Sequence, residues 1–273
     1  MRAYVVRRLL ILIPTLLMIS AIVFFLVTLI PGDIIDAMRS KALDVQLDRA
    51  AIEAELGLDR PMIVQYLSWL GVVPMPDGSF GGILQGDFGN SWWQSTPVWR
   101  LINPRWPVTL ELGVLALLIA QLIALPIGVV SALRQDSWVD FFARSLGILM
   151  IAIPTFWLGS MILVFPALWW GYMPPIMYVS ISENFGQNLQ MLLIPSIIMG
   201  MSMGGMTMRM MRTMMLEVQR QDYIRTAWAK GLRERVVVMR HALKNALIPV
   251  ITLIGLQTPV VIGGAVVMER IFS

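Results

Sequence analysis

Residues 222–249 read DYIRTAWAKGLRERVVVMRHALKNALIP and lie between two long apolar runs. The stretch holds six Lys and Arg side chains together with the only histidine of the chain. A segment with this density of charge does not cross the hydrocarbon core of a membrane. The stretch therefore predicts a folded loop in water at a membrane face.

The first half of this loop has a helical pattern. The pattern consists of residues at spacings of three and four, which places them together on a helix: Tyr223, Thr226, Ala227 and Lys230. Gly231 follows the pattern and is predicted to end the helix. Residues 236–243 predict a second helix that continues into the next apolar run. We expect a compact unit that a partner protein can bind. It consists of a helix, a glycine turn and a basic segment that leads back to the membrane.

Composition places the chain in a membrane. Apolar residues make up 57% of the 273 residues and charged residues 14%, whereas an average soluble domain carries about 25% charged residues. The formal net charge is +4, but the basic residues cluster at the ends of apolar runs, which argues against a nucleic-acid partner. The absence of cysteine and the single histidine exclude a disulfide framework and a Cys/His zinc site. These features predict an all-α polytopic membrane protein with no metal site.

Five apolar stretches are each long enough to cross a hydrocarbon core of about 30 Å as a helix. The predicted spans are residues 9–30, 108–133, 145–170, 189–211 and 246–267. Pro154 and Pro166 interrupt the third span, where neighbouring helices or water can satisfy the freed backbone groups. We predict one transmembrane domain over residues 1–273. Residues 43–56, in the long polar interval between the first two spans, show helical periodicity.

The Lys and Arg distribution predicts which side of the membrane each loop occupies. The N-terminus carries three such residues, the 134–144 loop two and the 212–244 loop eight, whereas the 171–188 loop has none. By the positive-inside rule the N-terminus and the 212–244 loop are cytoplasmic. The 33–105 insertion is then extracytoplasmic, and its basic residues do not contradict this because long translocated segments are largely exempt from the rule.

Two clusters admit a binding role besides a structural one. The tryptophans at the end of the polar interval are typical of chain that re-enters a bilayer interface, although they could also stack on a ligand. They are Trp92, Trp93, Trp99 and Trp106. Residues 199–215 hold nine methionines around three glycines. Thioethers suit Cu(I), but methionine without cysteine or histidine favours flexible helix packing.

Polar residues within the predicted spans are candidates for a pathway lining. Glu111 lies one turn inside the second span, and Gln257 and Thr258 lie in the middle of the fifth. No constellation for covalent catalysis is present, because His241 is the only histidine and has no nearby nucleophile, which favours a structural or docking role. The chain has no GxxxxGK[ST] phosphate loop. If ATP drives this protein, another subunit must hydrolyse it.

Several motifs resemble one protein family. RTAWAKG at 225–231 is similar to the EAA loop of ABC-importer permeases, and the continuation RHALKNALIP resembles the dipeptide, oligopeptide and nickel branch. Arg225 stands where many families have glutamate, and HALK at 241–244 replaces an apolar, proline-ending segment, as in that branch. Further similar motifs are LIPGD at 29–33, LGLDRPMIVQYLSWL at 56–70, GDFGNS at 86–91 and ERIFS at 269–273.

The resemblance implies a fold and a set of partners. It implies the transmembrane domain of a type I-like ABC importer, with five spans here and a sixth expected beyond Ser273. The implied partners are a second homologous permease subunit, two ABC ATPase subunits that hold ATP and magnesium, and an extracytoplasmic solute-binding protein. The implied location is a bacterial or archaeal plasma (inner) membrane. The solute, whether dipeptide, oligopeptide, nickel or another, is open.

The resemblance also assigns the basic loop to docking on the ATPase. The implied coupling residues are Tyr223, Arg225, Thr226, Ala227, Ala229, Lys230, Gly231 and Leu232. We expect Ala227 and Gly231, four residues apart, to share the helix face that a partner approaches. An ordinary positive-inside loop is the alternative interpretation of this stretch.

Two other classes of membrane protein compete with this interpretation. A secondary transporter driven by protons or sodium would need carboxylates in its spans, and few are present. It would also be expected to show an inverted repeat, which is not visible in this sequence. A membrane scaffold without transport activity is the third possibility. An importer subunit is expected to bring ATPase activity with it on purification, whereas the other two are not.

Overall fold

The computed structural model describes residues 2–29, 48–91, 94–171, 175 and 178–272. Contacts divide the chain into two compact units, Met1–Asn103 and Pro104–Ser273. Helices dominate the described residues of both units, and the strands described form one short hairpin in the first unit. The all-α fold class is confirmed.

The first unit begins with the apolar helix α1, Arg2–Thr28. Its side chains are largely exposed, and within the unit it contacts Tyr66 and Trp69. The hydroxyls of Ser20 and Tyr66 lie 2.8 Å apart in a hydrogen bond, and the rings of Phe24 and Tyr66 meet edge to face at 5.5 Å. Residues 30–47, which include most of the LIPGD motif, lie outside the described residues.

The remainder of the first unit is built from short elements. They are α2 Arg49–Leu56, α3 Met62–Leu70, a 3-10 turn Ile83–Gln85, the antiparallel strands β1 Asn90–Ser91 and β2 Thr96–Pro97, and α4 Val98–Ile102. The Asp48 side chain caps α2 by accepting a hydrogen bond from the Ala50 amide at 3.1 Å. The helix predicted over 43–56 is thus described from residue 49 onward. Trp92 and Trp93 lie outside the described residues, and Trp99 is exposed.

The second unit is a helical bundle in which the basic loop connects the last two long helices. Its elements are α5 Trp106–Leu133, α6 Trp138–Ala152, α7 Thr155–Trp170, α8 Phe185–Gln219, α9 Asp222–Ala229, α10 Glu234–Val236, a π-helical segment Val237–Ala242, and α11 Leu243–Phe272. The long helix α8 is central and packs against α5, α6 and α11. It carries fourteen of the buried residues of the unit, so this helix positions its neighbours.

The predicted third span, 145–170, falls on two helices, α6 and α7. α6 and α7 are bent by 89° at a break around Ile153 and Pro154. Ile153 has an extended backbone, with ψ 121°, because the proline ring that follows disfavours the helical conformation there. Pro154 then precedes the first residue of α7, whereas Pro166 lies inside α7 without ending it. One of the two prolines therefore breaks the segment.

Glycines let α8 approach its neighbours closely. A Cβ added at Gly200 would lie 2.8 Å from the carbonyl oxygen of Ala116 on α5. At Gly205 it would lie 2.7 Å from the carbonyl oxygen of Gly147 on α6. The methionines between and after these glycines include the fully buried Met211 and Met215. Both observations support the packing interpretation of the methionine-rich stretch.

Several of the helical stretches are long and apolar enough to cross a membrane. Among the described residues these are Ala3–Thr28, Val98–Leu133, Phe185–Gln219 and Glu234–Phe272, with the bent pair as a fifth candidate. The chain is thus a multi-pass membrane protein. The side of the membrane assigned to each loop stays a prediction.

Candidate functional site

The basic loop forms a defined structure at the end of α8. Helix α9 starts at Asp222, and the Thr226 hydroxyl donates to the Asp222 carbonyl at 2.9 Å. The helix ends at Ala229, and Gly231 adopts the left-handed conformation with φ +74°. Its amide donates to the Trp228 carbonyl at 2.9 Å, which closes the C-terminal turn. The glycine stop predicted from the sequence is confirmed.

One face of α9 anchors it to the bundle. Ile224 and Ala227 are 1% and 6% exposed and belong to an apolar cluster, here called the inner core. The inner core consists of Ala132, Met211, Met215, Ile224, Ala227, Val237, Val238, Ala242, Ala246 and Val250. It joins α9 to the ends of α5 and α8 and to the start of α11.

The expected face shared by Ala227 and Gly231 is not present. Ala227 points into the inner core, and Gly231 lies beyond the helix end, with open space where a Cβ would be. The expectation is wrong because α9 stops at Ala229 and does not extend through residue 231. Ala227 thus supports the loop from inside, and its part in docking stays a prediction.

The remaining predicted coupling residues lie on the surface. Tyr223, Arg225, Thr226, Ala229, Lys230, Gly231 and Leu232 are all exposed. Opposite the buried face, helical geometry brings Asp222, Arg225, Thr226 and Ala229 together. We call these four residues the outer face of α9. Its centre carries short side chains, so the helix backbone is accessible to a partner there.

A side-chain bridge fixes α9 to the return of the chain. The Asn245 amide nitrogen donates to the Tyr223 hydroxyl and to the His241 carbonyl, both at 2.9 Å. The second helix predicted at 236–243 is present as α10 and the π-helical segment, which run directly into α11. His241 takes part in the bridge through its backbone, in agreement with a structural role.

The charges of the loop are dispersed over its surface. Arg225 lies 3.5 Å from Asp222, but both side chains are largely exposed, so this pair contributes little stability. The other basic side chains of the loop from Lys230 to Lys244 are also exposed, apart from the half-buried His241. The surface around α9 is therefore positively charged and available to an acidic partner.

Glu111, predicted to line a pathway, is held in hydrogen bonds near the start of α5. Its carboxylate accepts from the Tyr178 hydroxyl at 3.1 Å and from the Asn188 amide nitrogen at 2.7 Å. The same nitrogen donates to the Val179 carbonyl at 2.9 Å. Burial raises the pKa of Tyr178, and the hydrogen bond to Glu111 raises it further, so the phenol stays a donor. Glu111 thus ties the 178–188 segment to α5.

The structure places the other two predicted pathway residues in different environments, one buried and one exposed. Gln257 is 6% exposed and donates to the Met203 carbonyl and the Thr207 hydroxyl on α8, at 3.2 and 3.3 Å. Its amide oxygen is buried and has no hydrogen-bond partner in the described part of the chain. Thr258, the next residue of α11, is exposed. Lining of a pathway by these two residues stays a prediction.

Sequence reasoning missed a buried ion pair. The Asp140 carboxylate at the start of α6 accepts two hydrogen bonds from the Arg212 guanidinium of α8, at 2.6 and 2.7 Å. The residues are 72 positions apart, and no periodicity or motif connects them. Another tie across the chain, from the Thr109 hydroxyl to the Glu269 carboxylate, was missed for the same reason.

The described residues contain no group of three or more His, Cys, Asp and Glu side chains able to hold a metal ion. The candidate site is a protein surface that rests on the inner core.

Two family models match the chain. Residues 124–273 match the model described as binding-protein-dependent transport system inner membrane component. Residues 1–113 match the model for the N-terminal part of the membrane component of such systems. The first match includes α9 and the whole basic loop.

Curated proteins similar over the whole chain carry related names. The oligopeptide transport system permease protein AppB of Bacillus subtilis is 38% identical, covering 100% of this chain and 84% of the relative. The dipeptide transport system permease protein DppB of Escherichia coli K12 is 34% identical, with the same shares. A putative peptide transport system permease of Brucella suis is 36% identical, covering 100% of this chain and 83% of that protein. The chain therefore belongs to the family of binding-protein-dependent transport system inner membrane components.

Proposed function

We propose that this chain forms half of the membrane pathway of an ATP-driven importer for peptides, and that α9 docks onto the ATPase. The relatives named as oligopeptide and dipeptide permeases support the peptide as solute. The proposed complex contains a second homologous permease, two ATPase subunits that bind ATP and magnesium, and an extracytoplasmic solute-binding protein. The charge asymmetry of the loops supports a cytoplasmic N-terminus.

The two-sided character of α9 carries this proposal. One side, Ile224 and Ala227, is buried in the inner core, while the outer face exposes short and polar side chains. A helix that only capped the bundle would have no need for an accessible backbone surrounded by basic residues. A short rigid helix with these two sides fits a groove on another protein and passes force to the bundle.

Mechanical coupling follows from the contacts of the inner core. A close-packed cluster transmits displacement because it has no space to absorb it. Movement of α9 with the ATPase would therefore shift α8 through Met211 and Met215, and α11 through Ala246 and Val250. Rigid-body tilting of these helices would open the pathway to one side of the membrane and close it to the other.

Enlarging the outer face of α9 tests the docking surface. Ala229→Trp adds a bulky side chain at an exposed position and leaves the inner core unchanged, whereas Ala229→Ser keeps the position small. We expect Ala229→Trp to abolish peptide uptake and to reduce the ATPase recovered with the permease, while the amount of permease in the membrane stays normal. Ala229→Ser is expected to behave as the native protein. Normal uptake and normal ATPase recovery by Ala229→Trp would refute docking through this face.

A further inference from the structure

The carboxylate of Asp140 collects hydrogen bonds from three parts of the second unit. Besides the two bonds from Arg212 of α8, it accepts one from the Ser131 hydroxyl of α5 at 2.6 Å. A further one comes from the Asp136 amide in the turn between α5 and α6, at 3.0 Å. The Asp140 side chain itself is 1% exposed and that of Arg212 17%. We call Asp140, Arg212, Ser131 and the Asp136 amide the junction.

Stability alone does not account for the junction. Removing two charges from water offsets most of their attraction, and buried ion pairs can often be replaced by packed apolar side chains without loss of stability. What an arginine fork on a carboxylate provides, and an apolar contact does not, is a fixed direction and distance between the elements that carry them. The junction therefore holds α5, α6 and α8 in one relative orientation at this level.

The junction lies on the path from α9 into the bundle. Arg212 is seven residues before the end of α8 at Gln219, which is about 10 Å along the helix. Its neighbour Met211 and the following Met215 both pack in the inner core with Ile224 and Ala227 of α9. A displacement of α9 thus reaches α8 directly beside Arg212. The hydrogen bonds of Asp140 with Arg212 and Ser131 connect α8 at this point to α6 and α5.

We propose that Asp140 and Arg212 are positioning residues for transport, because their ion pair passes the movement of α9 from α8 to α5 and α6. The proposal rests on the function proposed above, since it assumes that an ATPase moves α9. Without the pair, α8 would still follow α9, but α5 and α6 would follow it less completely. ATP hydrolysis would then continue with less solute moved for each ATP.

The ratio of peptide transported to ATP hydrolysed separates this role from a purely structural one. A structural defect lowers the amount of assembled complex, and both rates fall together, so that the ratio is unchanged. Loss of a positioning contact lowers uptake but not ATP hydrolysis. The ratio is measured on the complete transporter in proteoliposomes with a labelled dipeptide and a labelled tripeptide as probes.

The variant that keeps the fold replaces both charges, Asp140→Leu together with Arg212→Met, so that no unpaired charge is left inside. We expect it to assemble with the ATPase and to hydrolyse ATP at the native rate. Its ratio should fall about tenfold, within the range of coupling free energies between two sites. The matched control is Arg209→Met, one turn earlier on α8, because Arg209 is exposed. The control should keep the native ratio.

A native ratio in the double variant would overturn the proposal. If that variant does not accumulate in the membrane, Arg212→Lys decides the question, because it keeps the charge but loses the two-pronged contact. Its ratio is expected to fall about threefold, the size of effect that one lost hydrogen bond has, and an unchanged ratio would overturn the proposal equally. Absence of ATP-dependent uptake by the native complex would instead refute the proposed function, and the proposal with it. The two failures are therefore distinguishable.

Discussion

Glu111 is a carboxylate within a candidate span, and its contacts give it a tethering role. Tyr178 and Asn188 both donate to it, and Asn188 is 4% exposed. The sequence predicted its position inside the span, but not these partners, because they lie 67 and 77 residues away. Because two hydrogen-bond donors hold this carboxylate, its role is to fix the 178–188 segment and not to bind transported ions.

Replacing Glu111 tests this assignment. Glu111→Leu removes the acceptor of a buried amide, so we expect the free energy of unfolding to fall by about 1–3 kcal/mol. Thr258→Leu, at an exposed position, is the control and should change it by less than about 0.5 kcal/mol. Thermal melting of the purified chain in detergent measures both. Glu111→Gln keeps one acceptor oxygen and should retain uptake. Loss of uptake in Glu111→Gln with unchanged stability would favour an ion-coupled carrier instead.

Local signals predicted the elements better than the contacts between them. Gly231 was predicted to end α9, and it does so, because a left-handed C-terminal residue is a local requirement that glycine meets. The break at Pro154 likewise follows from local sterics, although its angle does not. The predicted orientation of Ala227 was wrong, and the ion pair of Asp140 and Arg212 was not predicted. Both depend on packing between distant parts of the chain.

The packing of α8 can be tested at its glycines. In Gly200→Ala the new Cβ would lie 2.8 Å from the Ala116 carbonyl oxygen, so α5 and α8 must separate. Overpacking of this kind lowers the free energy of unfolding by about 1–3 kcal/mol. The control Gly263→Ala, on α11, has open space at the Cβ position. We expect a lower melting temperature for Gly200→Ala alone. Equal melting temperatures for both variants would contradict the close approach of α8 to α5.

At the scale of the whole molecule, composition was sufficient for the class but not for the function. Apolar residues at 57% identify a membrane protein, and the motif around the basic loop resembled importer permeases. The family match over residues 124–273 shows that the chain is a permease and not an enzyme. The sequence predicted which stretch forms the docking surface. Which side of α9 is buried and which is exposed could be seen only in the structure. The outer face of α9 is therefore where docking onto the ATPase can be tested.

The most direct test is a cross-link from residue 229. The chain has no cysteine, so Ala229→Cys carries a single thiol on the outer face of α9, to which a short photoreactive group can be attached. In membranes that contain the complete transporter, we predict one main product that joins the permease to its ATPase. The product should be lost when the ATPase is left out. Labelling of the same thiol from outside intact cells by an impermeant reagent, without any cross-link to the ATPase, would contradict the docking of α9 onto the ATPase.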